Sequence, residues 1–328
     1  MPNWCFNKVI VNDDEDFKKI ANFVKGKESI FDFEVIIPIP ETLYITEGSL
    51  TGRALNSYLS AINPANEEFK GITKVTPAEY AEILSKCTVS PYCGVKDDLT
   101  AAEVDNIQND DFVKGASETD KKFANNILEL GKVVADNYIN YGCRSWYDFC
   151  VTYWGTKWNA CDVDISSDEN TIFFNTAWSP PLPVILALSE KVPNIPIEID
   201  FADSDDFGGF AGKITFMNGK IVSETCPSTS AETLELAAEI LSVDLSENYI
   251  KHHGNYIYIN FYDFYISDEL IEEAKKVLPK EMFEDFKSYF EVDDEGNTIS
   301  SNVIEFLNEI VNHGGNIDNS IKDYCERY

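Results

Sequence analysis

Between residues 161 and 225 the apolar periodicity switches from two to 3.6 and back, and that order of switches leaves few folds open. "WNACDVDIS" and "TIFFNTAWS" alternate as strands across the turn "SDEN". "SPPLPVILALSEKV" then reads as a helix, with Ser179 as its cap and Pro180 and Pro181 in its first turn. "IPIEIDFAD" alternates again, and "FAGKITFMNGKIVSE" is a hairpin turning at Asn218-Gly219, a pair suited to positive φ.

The N-terminal end supplies the missing half. "CFNKVIVN" alternates as a strand, and "DDEDFKKIANFVKG" follows as a helix. Acidic residues load its first turn, Phe17, Ile20, Ala21 and Val24 form one face, and Gly26 stops it. Strand, helix, strand, strand, helix, strand is βαββαβ, so the predicted class is α+β with a ferredoxin-like sheet and a closing hairpin. A large helical insertion, about residues 41–157, separates the two halves, and a mostly helical appendage follows. The expected domains are 1–226 and 227–328, with the boundary near Pro227.

Within the insertion, "TPAEYAEILSKC" is a helix capped by Thr76 with Pro77 at its first position. "ETDKKFANNILELGKVVADNYINYG" places Phe123, Ile127, Leu130, Val134 and Tyr138 on one helical face and ends at Gly142. "FDFEVIIPIP" reads as extended, and "GVKDDLTAAEVDNIQNDDF" as a surface excursion. In the appendage "SAETLELAAEILSV" is helical and "YIYINFYDFYI" a strand. "SDELIEEAKKVL", "KEMFEDFKSYF", "SNVIEFLNEIVNHGG" and "NSIKDYCERY" read as successive helices.

One stretch concentrates the unusual side chains. In "SWYDFCVTYWG", residues Trp146, Phe149, Cys150, Tyr153 and Trp154 recur at helical spacing behind Ser145 as cap. Two readings compete. In the structural one, Trp146, Trp154, Trp158 and Trp178 hold the insertion against the sheet. In the other they line a pocket with Arg144, Lys157 and Asn159 as its polar groups, the site of an enzyme or a small-ligand-binding protein.

Reactive constellations are otherwise scarce. There is no glycine-rich phosphate loop of the nucleotide-binding kinds, and the eight cysteines form no Cys-x-x-Cys pair. His252, His253 and His313 lack zinc-ligand spacing. The expectation is therefore no catalytic residue, no metal and no cofactor.

The charge points to a different kind of function. The chain carries 57 acidic and 26 basic residues, a net of −31; residues 223–328 alone hold 23 acidic and 7 basic, or −16. Such a field repels phosphates and anionic lipid, so neither direct nucleic-acid binding nor membrane binding is expected. Either the acidity only keeps the chain soluble, or it attracts a basic protein surface, for which Glu269, Glu272, Glu273, Glu284, Asp285, Asp293, Asp294 and Glu295 are the candidate contacts. Self-association through the appendage is a further option. No apolar run is long enough to span a bilayer, and "MPNWCFNKVIVNDDED" lacks a signal peptide's regions, so the expected location is the cytoplasm.

The strings "MPNWCFNKVIVN", "FDFEVIIPIPETL", "WYDFCVTYWGTKWNACDVDI" and "FNTAWSPPLPVILALSEKVP" resemble the YubB ferredoxin-like domain family of phage and plasmid proteins, over about residues 1–222. The resemblance implies a ferredoxin-like fold carried by mobile elements, and no agreed activity. With the charge, it leads to the expectation of a non-catalytic acidic interaction protein. Such a protein would engage a host protein in the host cell cytoplasm and block a defence or nucleic-acid-binding protein by nucleic-acid mimicry.

Overall fold

The structure, a computed structural model, describes residues 3–69, 75–87, 99–109, 127–205, 207–247, 249–252, 254–260, 265–266, 268–278, 280, 283–284, 306 and 316–327. The chain divides into two compact units, Met1–Ile199 with Ile214–Ser223, and Asp200–Lys213 with Glu224–Tyr328.

The first unit begins with β1 (Trp4–Ile10), whose residues alternate between half-buried and buried. Helix α1 (Asp14–Phe23) follows. Asp13 caps it by accepting the Glu15 and Asp16 N–H groups at 3.0 Å each, and Phe17 and Ile20 are buried. The segment read as extended instead forms α2 (Phe33–Ile36). Asp32 accepts the Glu34 N–H and nucleates the turn, and the Phe31 and Phe33 rings meet edge to face at 5.3 Å. Local capping and ring packing override the strand pattern there.

The insertion is helical and has its own core. It contains α3 (Ser49–Ile62), α4 (Pro77–Lys86), α5 (Ala101–Asn109) and α6 (Ile127–Tyr141). Thr76 and Glu79 close the expected cap of α4 reciprocally. The stretch read as a surface excursion contains α5, whose Val104 joins Leu55, Leu59, Ile62, Ile127, Leu130 and Val134 in one buried cluster. Helices α3 and α6 meet at Gly131, where an added Cβ would run into the Ala54 carbonyl and come within 2.6 Å of Tyr58 Cβ. Gly142, at φ +69°, ends α6 as read from the sequence.

The aromatic box departs from simple helical spacing. Helix α7 (Trp146–Phe149) runs into a π-helical turn at Cys150–Trp154, which Gly155 ends at φ +78°. The wider turn shifts the phase, so Phe149, Cys150 and Trp154 are buried while Tyr153 is exposed. The Ser145 side chain makes no capping bond to the helix; its hydroxyl donates to Glu47.

Next come β2 (Cys161–Ser166), β3 (Thr171–Ala177) and α8 (Leu182–Lys191). Pro181, not Ser179, occupies the cap of α8, and the Ser179 hydroxyl donates to the Gly155 carbonyl at 2.5 Å. Strands β4 (Ile197–Asp203), β5 (Ala211–Met217) and β6 (Lys220–Thr225) complete a six-stranded sheet ordered β2-β3-β1-β4-β5-β6. Its first four strands have the ferredoxin-like order, and β5 and β6 are the closing hairpin, with Asn218 at φ +53° and Gly219 at +70°.

In the second unit, α9 (Ser230–Leu241) buries Leu234, Ala237 and Ile240 behind a Thr229 cap. Strands β7 (Tyr249–His252), β8 (Asn255–Asn260) and β9 (Tyr265–Ile266) form a separate sheet. Helices α10 (Asp268–Val277) and α11 (Ile317–Arg327) follow. The helices read at "KEMFEDFKSYF" and "SNVIEFLNEIVNHGG" lie almost wholly outside the described residues.

Candidate functional site

The two faces of the β1–β3 pair differ. Cys5, Asn7 and Val9 are buried on one side, as are Ile172 and Phe174 of β3. Rings stack behind them: Phe31 meets Phe174 at 4.9 Å, and Phe33 meets Trp154 at 5.6 Å, both edge to face. Trp154 is 2% exposed, and its indole N–H donates to the Ile37 carbonyl at 2.9 Å. It fills space as a brace.

Two further candidates are braces as well. Asn159 accepts the Phe33 and Ala160 N–H groups at 2.9 Å each and donates to Asp32 at 2.7 Å, which fixes α2. Arg144 contacts Glu47 at 2.6 Å and Asp148 at 3.1 Å, and these side chains are largely buried. Burial pushes the Glu47 carboxyl above its ordinary range, against the opposing pull of Ser145 and Arg144. Asn137, also buried, ties the same corner by donating to the Thr42 carbonyl at 2.9 Å and the Arg144 carbonyl at 3.2 Å.

The remaining four candidates gather elsewhere. Lys157 Nζ lies 4.6 Å from the Trp158 ring centroid, 5.2 Å from Trp178 and 5.8 Å from Tyr147. It makes no ion pair among the described residues, so its charge rests on ring faces. Trp146 packs on Tyr147 at 6.0 Å, and Tyr147 on Trp178 at 6.5 Å. Trp178 is 42% exposed and holds φ +72°, rare for a residue of its size; its N–H donates to the Asn3 carbonyl at 2.8 Å. The Thr156 hydroxyl binds the Ala177 carbonyl at 2.8 Å and ties the Lys157 loop to this bend.

Trp158 carries the cluster onto the sheet, because its ring lies 6.1 Å from that of Trp4. Trp4, Phe6, Lys8 and Ile10 are half-buried on the side of β1 opposite the core. Asn175 pairs with Phe6 and Phe173 with Lys8, so they share this side, and the Phe6 and Phe173 rings lie 6.2 Å apart. A register shift between Cys161 and Asp164 brings two exposed carboxylates alongside: Asp162, which accepts from Asn175 at 3.3 Å, and Asp164, opposite Phe173. The result is a half-exposed aromatic strip edged by carboxylates. Sequence reasoning missed Trp4, Phe6, Tyr147 and Phe173; the alternation of "WCFNKVI" was the available signal.

Burial also decides the thiols. It pushes Cys150 up to about 12 and Cys87 up to about 11, so neither is a thiolate at neutral pH. Among the described residues no group of His, Cys, Asp and Glu is arranged to hold a metal ion, and no helix is long and apolar enough to cross a membrane. A cleft of about 320 Å³ lies on the insertion, lined by Val75, Glu79, Glu82, Ile83, Lys86 and Ile139, none of them in the aromatic box.

Of the acidic candidates, Glu272 is exposed and pairs with Lys275 at 3.3 Å, and Glu284 is exposed. Glu269 and Glu273 belong to α10, but their side chains lie outside the described residues, as do Asp285, Asp293, Asp294 and Glu295 altogether.

Residues 153–244 match a family model described as the ferredoxin-like domain in Api92-like protein. The match starts inside the π turn and runs through α9, past residue 222. The chain also resembles the crystal structure of protein api92 from Yersinia pseudotuberculosis. The identity is 11% and the TM-score 0.33, over 70% of this chain and 99% of that one. No curated protein matches.

Proposed function

We propose that this chain is a non-catalytic interaction protein that engages a basic protein partner through its carboxylate-rich surface. The charge carries the reading: 57 acidic side chains stand against 26 basic ones. Many of the described lysines pair with acids one helical turn away, as Lys18 does with Glu15 and Lys132 with Asp136. Such pairs leave the excess carboxylates facing water, where they steer a cationic partner.

The finer reading adds the YubB resemblance. On it, the chain comes from a phage or plasmid, works in the host cytoplasm, and occupies a host surface that otherwise holds nucleic acid. Affinity capture from host lysate with the full chain tests this reading. The captured proteins should be basic, should be competed by duplex DNA, and should be released between about 50 and 200 mM salt. Capture that ignores salt, or of proteins without basic surfaces, refutes it.

A further inference from the structure

Four rings and two carboxylates lie on the non-core side of the β1–β3 pair, and their chemistry narrows what can bind there. Phe6 and Phe173 are neighbours at 6.2 Å, Trp4 and Trp158 at 6.1 Å, and Asp162 and Asp164 border them. Trp4 and Phe6 are two residues apart on one strand, so their side chains repeat roughly every 7 Å. A partner segment in extended conformation repeats its own side chains at the same interval.

We infer that this face docks an extended arginine-bearing segment of a basic protein, with guanidinium groups stacked on Phe6, Phe173 and Trp4 and paired to Asp162 and Asp164. The inference rests on the basic-partner reading above and names the surface and the side chain that reading leaves open. Ring and charge chemistry call for a cation, and the shape of the guanidinium selects arginine. Ring faces and carboxylates both attract cations, so the strip and its border select the same charge. A planar guanidinium can stack on a ring while it pairs with a carboxylate at its edge, which an ammonium cannot do. Lys157 already shows the ring half of the contact, with its ammonium 4.6 Å from Trp158. Lys8, on the same face, has an interaction of its own.

Aromatic side chains on the two central strands of such a sheet are also how RNA-recognition sheets stack bases. Here a nucleic-acid strand would bring its phosphates against Asp162 and Asp164 in a chain of net charge −31, which disfavours it.

The test is fluorescence anisotropy on the full chain with three labelled probes: an alternating Arg-Ser peptide, a Lys-Ser peptide of equal length and charge, and a mixed-sequence single-stranded RNA. The Arg-Ser peptide should bind roughly fivefold tighter than the Lys-Ser peptide. The double variant Phe6→Leu/Phe173→Leu, which removes the π faces and keeps apolar volume, should abolish that preference by weakening Arg-Ser binding more than Lys-Ser binding. Asp164→Asn alters only an exposed side chain and should weaken Arg-Ser binding roughly threefold, a check independent of how the double variant folds. Equal affinity for both peptides, a preference that survives the double variant, or no effect of Asp164→Asn overturns this face while leaving a basic partner standing. Failure of both peptides to bind at low salt overturns both readings. RNA that binds tighter than Arg-Ser and is lost in the double variant assigns the face to nucleic acid instead.

Discussion

Replacing Trp154 by Phe separates the bracing part of the aromatic box from its exposed part. The indole is 2% exposed and donates to the Ile37 carbonyl at 2.9 Å. Phe keeps an aromatic face toward Phe33, now 5.6 Å away, but removes the donor and part of the ring volume. Leaving the carbonyl of the half-buried Ile37 without this donor costs about 1–3 kcal/mol. The void from the missing portion of the indole adds roughly 1 kcal/mol. The expected loss is about 2–4 kcal/mol, and for a unit of this size that lowers Tm by roughly 5–15 °C. Trp178→Phe, at a 42% exposed position, should stay within about 0.5 kcal/mol of the parent. Thermal melts of the two variants followed by far-ultraviolet circular dichroism make the comparison. If Trp154→Phe melts with Trp178→Phe, Trp154 borders open space and the brace argument fails.

Gly131→Ala should destabilise, although alanine in a helix interior ordinarily gains about 1 kcal/mol over glycine. Its Cβ would meet the Ala54 backbone and the Tyr58 side chain, so α3 and α6 must part at a net cost of roughly 1–3 kcal/mol, read as a lower Tm; a higher Tm refutes the close approach. Arg144→Gln should cost roughly 2 kcal/mol at neutral pH, because it strands the largely buried Glu47 and Asp148 carboxylates. Burial raises the Glu47 carboxyl above its ordinary range, so the folded state holds that proton more readily than the unfolded chain. Loss of the Arg144 charge raises that carboxyl further, so the variant regains more stability than the parent below the unfolded value and loses more as pH rises through the folded one. The deficit of Arg144→Gln should therefore shrink on acidification in urea melts, and a deficit independent of pH counts against the argument.

What the sequence revealed follows from where local rules govern. The βαββαβ order was legible because each strand has one buried face, and alternation such as that of Cys5, Asn7 and Val9 records it directly. The Asn218-Gly219 turn and the Thr76 cap are likewise local, since backbone dihedrals and one side chain decide them. Helix α3 was hidden because Leu50, Thr51, Gly52, Ala54, Ser57 and Ser60 are all buried, which removes polar contrast, and Gly48 supplies no side-chain cap. Helix α2 was misread because ring contacts of Phe31 and Phe33, distant in sequence from their partners Phe174 and Trp154, outweigh strand propensity. At the candidate site, proximity in sequence grouped Arg144 and Asn159 with Lys157. Their contacts separate them; only the β1–β3 pairing brings Phe173 to Phe6, and only the path of the loop before β2 brings Trp158 to Trp4.

The two sides of β1 put their aromatic rings to different uses. On the core side the rings meet one another edge to face and satisfy their own polar groups, as Trp154 does with Ile37. On the other side the rings keep part of their faces in water, and a face of negative quadrupole beside Asp162 and Asp164 repels anions twice over. Coulomb attraction to carboxylates falls with ionic strength, whereas contact between a cation and a ring is short-ranged and screened far less. Raising salt should therefore lower the affinity for every basic segment while leaving the preference for arginine over lysine largely intact. A preference that vanished with salt would mean that the rings add only bulk, and that the carboxylates alone choose the partner.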